Sequence, residues 1–268
     1  MHPALALMIL VAAFWDSWRW LVQRTWATPD EAITLAVMIV VVAGHAMRTA
    51  RRSGAVSGWL HPLPMLPLAA ALLLYAATVG RVPPILSAAI AVTTTLAAVH
   101  VAGHGRRPPF AFWGLCCLVL PIVPTLQFYL GYPMRVVSAA LTVPLLRLNG
   151  LDIGLEGTAL LWQGQRIQFD APCSGVTMAW AGMLLVFAVA TVRGESVGAL
   201  LRTAFLGLRL LLVANVLRAA SLFYLEAGLL PGNSEVMHQA IGLAAFGAAM
   251  AVLLWRMDAM RPRSEATP

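Results

Sequence analysis

The sequence predicts an all-α polytopic membrane protein with about eight transmembrane helices, one interfacial or re-entrant helix and a short extracytoplasmic β-hairpin. Three observations predict this class. The 268 residues are 60% hydrophobic and only 11% charged, whereas an average soluble domain has about 25% charged residues. Apolar runs of about 20 residues, the length that crosses a bilayer, recur along the chain. Arginines cluster between these runs or at their ends, where positive charge sets membrane topology.

Eight apolar segments have the composition of membrane spans, within what we expect to be a single integral membrane domain over residues 1–268. They are residues 4–22, 32–47, 58–79, 84–102, 110–131, 172–192, 203–225 and 236–257. The first is predicted to be an uncleaved anchor, because Asp16 and Arg19 follow its apolar part without a small-residue cleavage site. Residues 133–148 are too short and polar to cross comfortably, and they form the predicted interfacial or re-entrant helix.

The placement of arginine predicts the orientation. Basic clusters occur at 48–52, 106–107 and 256–263, and the positive-inside rule assigns all three to the cytoplasm. Eight crossings with both termini in the cytoplasm satisfy this rule. The acidic residues of the loops then lie outside. The net charge of +7 is accounted for by topology, so the expected surroundings are the lipid bilayer, and a nucleic-acid partner is disfavoured.

Residues 149–171 form the longest predicted outer segment. Apolar residues alternate with polar or glycine positions at 153–155 and again at 167–169, on either side of a glycine-containing turn at 162–165. Alternation with a period of two around such a turn predicts a β-hairpin.

A Pro-Cys-Ser-Gly segment at 172–175 stands where this polar stretch meets a long apolar run. Proline favours a first helical turn, which predicts Cys173 at a helix N-terminus, where partial positive charge favours the thiolate. On its own, a cysteine at a helix start is more often a small buried hydrophobe. Ser174 is the rival nucleophile, but it lacks a Gly-x-Ser-x-Gly elbow and is predicted to cap the helix.

Arg218 lies within an otherwise apolar predicted helix. A charge at that depth is unfavourable unless it faces the bundle interior or a wet cavity. Asn215 and Ser221, three residues away on either side, share its helix face. His238 opens the last predicted span, where an imidazole stays solvated enough to titrate. A structural arginine paired with Glu226, and a structural interfacial histidine, are the alternative interpretations.

The predicted topology brings Cys173, Arg218 and His238 toward the same face of the membrane. A thiol, a guanidinium and an imidazole are the parts of a cysteine acyl-transfer site. The other histidines lack acidic neighbours at metal-ligand spacing, so no metal site is predicted and no cofactor is expected.

Three short patterns resemble, in order and spacing, the exosortase/archaeosortase family. They are Pro-Cys-Ser-Gly at 172–175, Asn-x-x-Arg at 215–218 and His-x-x-x-Gly at 238–242. Gly-Tyr-Pro-Met-Arg at 131–135 also matches, and the similarity runs from about residue 110 to 257.

This resemblance implies a membrane-embedded cysteine protease or transpeptidase, similar to soluble sortases in chemistry but not in fold. It implies Cys173 as the nucleophile, completed by Arg218 and His238. The implied partners are exported proteins with a C-terminal sorting signal, which comprises a motif of the Pro-Glu-Pro type, a transmembrane helix and a basic tail. Arg135 and Asn215 are expected to bind the substrate.

A histidine at position 238 favours the bacterial branch of the family. The expected location is therefore the bacterial inner membrane, with the active site at the extracytoplasmic face. The sorting motif recognised, the acceptor nucleophile and the oligomeric state stay open at this point.

Other classes of function compete with this interpretation. A transporter or channel would have Arg218 and His238 lining its pathway, and a non-catalytic export or assembly factor would need none of the three residues. A rhomboid-like serine protease is disfavoured because no Ser/His pair has the required motif. Replacement of Cys173 discriminates, since a transporter should mostly tolerate it.

Overall fold

The computed structural model describes residues 3–27, 62–104, 108–168, 171–230 and 234–259, most of which are helical. The elements in chain order are α1 (Pro3–Ala13), α2 (Trp15–Ala27), α3 (Pro62–Thr78), α4 (Pro84–His104), α5 (Phe110–Leu118), α6 (Val123–Leu148), β1 (Gly154–Glu156), β2 (Ala159–Trp162), β3 (Gln165–Gln168), a 3₁₀ turn (Ala171–Ser174), α7 (Val176–Arg193), α8 (Val197–Glu226) and α9 (Ser234–Ala259).

Four of the described helices, α4, α7, α8 and α9, are long and apolar enough to cross a membrane. The helices α5 and α6 make a fifth candidate if the pair is counted as one broken span. The helical membrane class is therefore confirmed. The predicted count of about eight spans is not confirmed.

The first predicted spans account for part of this difference. The candidate at 4–22 is divided at Phe14 into α1 and α2, which have 11 and 13 residues. Its second half is amphipathic, with Ser17, Leu21 and Thr25 buried at a spacing of four residues, so it lacks the continuous apolar surface of a span. The candidate at 58–79 corresponds to α3, which has 17 residues. The candidate at 32–47 lies outside the described residues.

The helix boundary predicted near residue 132 is wrong. The chain breaks at 119–122, and α6 then runs uninterrupted from Val123 to Leu148 with Pro133 inside it. Pro121 lacks the backbone N–H that would continue α5, whereas Pro124 falls in the first turn of α6, where that N–H has no helical partner. The predicted interfacial helix at 133–148 is therefore the second half of a 26-residue helix.

Residues 154–168 form a three-stranded antiparallel sheet in the order β1-β2-β3 rather than the predicted two-stranded hairpin. The turn at 162–165 is confirmed, since Gln163 and Gly164 have φ of 48° and 77°, as a two-residue type I′ turn requires. A second two-residue turn joins β1 to β2, with Gly157 at φ 60°, as in a type II′ turn. The apolar run 159–162 between these turns is the missed central strand.

The chain divides into two compact units, residues 1–122 with 187–200, and residues 123–186 with 201–268. In the first unit, α4 packs against α1, α2, α3 and α5. The single domain expected from the sequence stays a prediction.

In the second unit, α6 packs against the 3₁₀ turn and against β1 and β2. Ile153, Leu160 and Phe223 are fully or nearly fully buried in the core beneath the sheet. The guanidinium of Arg147, at the end of α6, donates to the Ile153 carbonyl at 3.0 and 2.6 Å. The sheet is thus fixed to the helix that packs beside the Cys173 turn.

Candidate active site

The Cys-Ser-Gly turn connects the sheet to α7. Ser174 is fully buried, and its hydroxyl accepts the Val176 N–H at 3.2 Å and donates to Gln127 Oε1, also at 3.2 Å. The first N–H of α7 is therefore satisfied by this side chain, and the predicted capping role of Ser174 is confirmed. A serine hydroxyl engaged in this way is poorly suited to act as a nucleophile.

Cys173 lies in the 3₁₀ turn, three residues before α7 begins. Its side chain is half-buried and packs against the core cluster that contains Ala139 and Ala219. Its carbonyl oxygen accepts a hydrogen bond from Asn215 Nδ2 at 3.1 Å. The backbone at the candidate nucleophile is therefore fixed by a side chain of α8.

Asn215 makes hydrogen bonds to two other elements, α6 and the Cys173 turn. The side chain is 2% exposed, and Nδ2 donates to Ser138 Oγ at 3.0 Å as well as to Cys173. Its Oδ1 is buried and has no hydrogen-bond partner among the described residues. The same amide packs against Gly175, where φ is +76° and an added Cβ would lie 2.8 Å from Asn215 Cγ and Nδ2. Glycine at 175 is required by both the backbone conformation and this close approach.

Arg218 and His238 are in direct contact. Arg218 Nη2 lies 2.9 Å from His238 Nε2, and both side chains are half-buried. A guanidinium has only donors, so His238 Nε2 is the acceptor in this contact. The prediction that these two residues of separate spans come together is confirmed.

The glycine of the His-x-x-x-Gly pattern, Gly242, is explained by its contact with Arg218. It lies one helical turn after His238 on the same face of α9, and an added Cβ would lie 3.1 Å from Arg218 Nε and 3.8 Å from its Cζ. The Arg218 side chain therefore passes over a glycine to reach the histidine.

Cys173 is linked to this pair through α8. Asn215, which binds the Cys173 carbonyl, precedes Arg218 by three residues, or roughly 4.5 Å along the helix axis. The described structure thus ties the Cys173 backbone to α8, the helix that also carries Arg218.

Arg135, the other predicted substrate-binding residue, lies on α6. Its Nε donates to the Gly131 carbonyl at 3.4 Å, and its guanidinium carbon is 5.9 Å from the centre of the Tyr132 ring. Both contacts are within its own helix. The half-buried side chain shares a helix face with Gly131 and Ser138.

Sequence reasoning missed Gln127 and Ser138, which bind Ser174 and Asn215 respectively. Gln127 Nε2 also donates to Thr177 Oγ1 at 3.3 Å. A signal was present, because positions 127, 131, 138 and 142 place polar or small residues at intervals of four and seven, which is one face of a helix. The misplaced boundary near residue 132 divided this face between two predicted elements.

A family model described as Transmembrane exosortase (Exosortase_EpsH) matches residues 1–255. The chain belongs to the transmembrane exosortase family. Members are membrane proteins linked to the processing of protein sorting signals on exported substrates, and the family is generally peptidase- or transpeptidase-like. No curated protein and no solved structure matches the chain significantly.

The contact of Gly242 with Arg218 generates a prediction that needs no substrate. Gly242→Val should displace the guanidinium from His238 Nε2 and so raise the rate at which diethyl pyrocarbonate modifies His238, measured by mass spectrometry. Gly247→Val is the matched control, since it lies on the same helix with nothing within 4 Å of an added Cβ. Equal rates in the two variants would show that Gly242 does not control this contact.

Proposed function

We propose that this exosortase is a membrane-embedded cysteine protease or transpeptidase that cleaves the C-terminal sorting signal of exported proteins through a thioester. Cys173 is the nucleophile, and Arg218 and His238 assist it. The observation that carries the proposal is the 2.9 Å contact between Arg218 and His238, one helical turn from the asparagine that binds the Cys173 carbonyl. The substrates are proteins that end in a Pro-Glu-Pro-type motif, a transmembrane helix and a basic tail.

In the first chemical step, the Cys173 thiol gives its proton to His238, and the resulting thiolate attacks the scissile carbonyl. Negative charge then develops on the carbonyl oxygen, and it needs fixed positive charge or N–H donors. Arg218 supplies this charge by moving from His238 Nε2 to the oxyanion. That movement also frees Nε2 to carry the proton, so one side chain couples the two events.

Collapse of the tetrahedral intermediate breaks the C–N bond. His238 delivers its proton to the leaving amine, and the acyl group stays on Cys173 as a thioester. An acceptor, either water or an amine of an envelope component, then gives a proton to His238 and attacks the thioester carbonyl. The C–S bond breaks, and the released Cys173 thiolate recovers that proton from His238. Arg135, half-buried on α6, binds an acidic residue of the motif.

Asn215 has two roles in this proposal. Its Nδ2 positions Cys173 by binding the backbone carbonyl at 3.1 Å. It also binds the substrate: Oδ1, which is buried and has no hydrogen-bond partner among the described residues, accepts a backbone N–H of the substrate after the amide moves away from Gly175.

The proposed location is the bacterial inner membrane, with both termini in the cytoplasm and the site at the extracytoplasmic face. The arginine clusters of the sequence support this orientation by the positive-inside rule.

Replacement of the nucleophile is the decisive experiment. Cys173→Ser should abolish cleavage of a membrane reporter that ends in the tripartite signal, because an unactivated hydroxyl is a much weaker nucleophile than a thiolate. Cys117→Ser, at an exposed cysteine on α5, should cleave normally. Normal processing by Cys173→Ser rules out the proposed chemistry and favours a transporter or an assembly factor.

The role of Arg218 predicts which kinetic constant changes. Arg218→Gln should lower kcat by about 10²–10³-fold with little change in KM, the usual loss for an oxyanion donor. Arg209→Gln is the control, since Arg209 is exposed on the same helix, 4.1 Å from the Phe205 ring centre. A raised KM with kcat unchanged would instead assign Arg218 to a carboxylate of the motif, an effect that an amide in that substrate position should mimic.

The positioning role of Asn215 predicts a graded series. Asn215→Ala leaves the Cys173 carbonyl without its donor and should slow both cleavage and iodoacetamide alkylation of Cys173 by on the order of tenfold. Ser138→Ala keeps the bond to Cys173 and should have a smaller effect. Ser221→Ala should have none, because that exposed hydroxyl donates to Leu217 O of its own helix. Unchanged alkylation in Asn215→Ala would contradict positioning.

A further inference from the structure

The outer edge of β3 has backbone groups in position to bind another strand. In the part of the chain that the structure describes, the sheet contains three strands, and β3 is at its edge. Gln165, Arg166 and Gln168 are exposed, whereas Ile167 is half-buried. An exposed edge of this kind pairs readily with an extended peptide.

The register identifies which backbone groups face outward. Trp162 and Gln165 flank a two-residue turn, so they form a hydrogen-bonded pair, and pairs alternate from there. Leu160 and Ile167 are therefore the next bonded pair. Arg166 and Gln168 direct both their N–H and C=O groups away from β2, toward the outer edge.

One face of β2 and β3 packs on the core next to this edge. Leu160, Trp162 and Ile167 share the face that packs on the core, and the Trp162 ring meets Phe223 of α8 edge-on at 5.8 Å between ring centres. A peptide bound to β3 would therefore be held in a fixed position relative to α8, which carries Asn215 and Arg218.

The candidate nucleophile lies a short distance after β3 in the chain. Cys173 follows Gln168 by five residues, a reach of at most roughly 17 Å. Beyond Cys173 the chain enters α7, a candidate membrane span. The enzyme itself thus runs in the order extended strand, Cys173, membrane helix.

The proposed substrate runs in the same order, as an extended segment followed by a transmembrane helix. If the two chains lie side by side in the same direction, the substrate residues just before its helix fall beside Cys173. An antiparallel arrangement would carry them away from the thiol.

We propose that the substrate segment preceding the transmembrane helix binds as a fourth strand, parallel to β3, through the outward N–H and C=O groups of Arg166 and Gln168. This inference rests on the proposed peptidase function and specifies how that site holds its substrate. The partner is recognised by its extended backbone and by the helix that follows, so side-chain specificity is supplied elsewhere.

Proline substitutions test the backbone contacts. Arg166→Pro and Gln168→Pro remove an outward N–H but no bond to β2, and edge strands tolerate proline. Each should lower kcat/KM for the tripartite-signal reporter, in membranes containing the full chain, by about threefold to tenfold. Arg166→Ala and Gln168→Ala keep the N–H and should stay within about twofold. Proline variants that match their alanine controls would overturn the proposal.

Crosslinking tests the direction and does not depend on turnover. A photoreactive benzoylphenylalanine replaces Arg166 or Gln168 in the Cys173→Ala background, and the crosslinked residue of the bound reporter is mapped. Moving the probe from 166 to 168 should shift the crosslink by about two residues toward the reporter's transmembrane helix. A shift in the opposite direction, or no crosslink at either position, contradicts the inference.

The two proposals fail in different ways. Cleavage by Cys173→Ser would refute the peptidase assignment whatever the edge binds. An inactive Cys173→Ser, together with absent crosslinks and proline variants as active as their alanine controls, would refute only the strand docking.

Discussion

The buried amide of Asn215 is the interaction on which the polar structure of the second unit depends. Where the chain leaves the helical ladder near the membrane, its backbone groups need partners from the protein itself. Asn215 Nδ2 has two hydrogens, and it uses them on Ser138 of α6 and on the carbonyl of Cys173. One nitrogen thereby fixes two helices and the Cys173 turn with respect to one another. Loss of this group would remove both hydrogen bonds, and each bond of this kind contributes about 0.5–1.5 kcal/mol to stability.

Two polar residues of α8, Asn215 and Arg218, each pack against a glycine from a neighbouring element. Asn215 packs against Gly175, and Arg218 packs against Gly242. The small residues let bulky polar groups approach the backbone, as small residues do at helix interfaces in membranes. The same packing arrangement therefore occurs twice. The glycine of Cys-Ser-Gly contacts Asn215, and the glycine of His-x-x-x-Gly contacts Arg218. The sequence patterns that relate this chain to the exosortases describe contacts between residues as well as chemical groups.

The sequence was sufficient for the elements with a strong local signal. The long apolar runs of α7, α8 and α9 were recognised, and Arg218 and His238 were predicted to meet because the inferred topology places both at the same face of the membrane. The turn at 162–165 was found through its glycine. Ser174 was assigned to the helix cap because its surroundings lack a nucleophile elbow.

Other features were set by interactions that composition does not reveal. The strand Ala159–Trp162 is buried at Ala159 and Leu160 and so shows no alternation with a period of two. The break between α5 and α6 follows from backbone chemistry at Pro121, in a stretch whose hydropathy stays high. Ser138 is an ordinary small residue in the sequence, and it becomes a hydrogen-bond partner of Asn215 only through the packing of α6 against α8. The number of spans depends also on residues 28–61, which lie outside the described residues.

The length of α8 has a further consequence. The helix has 30 residues, or roughly 45 Å at 1.5 Å per residue, against a hydrocarbon thickness of about 30 Å. Arg218 stands roughly 32 Å from its first residue, so a helix that starts at one water boundary brings the guanidinium to the opposite one. About two further turns then rise into the headgroup layer. The distance from the start of α8 to Arg218 therefore matches the thickness of the hydrocarbon layer. In a membrane a few ångströms thicker, this arginine and the histidine bound to it would lie in hydrocarbon.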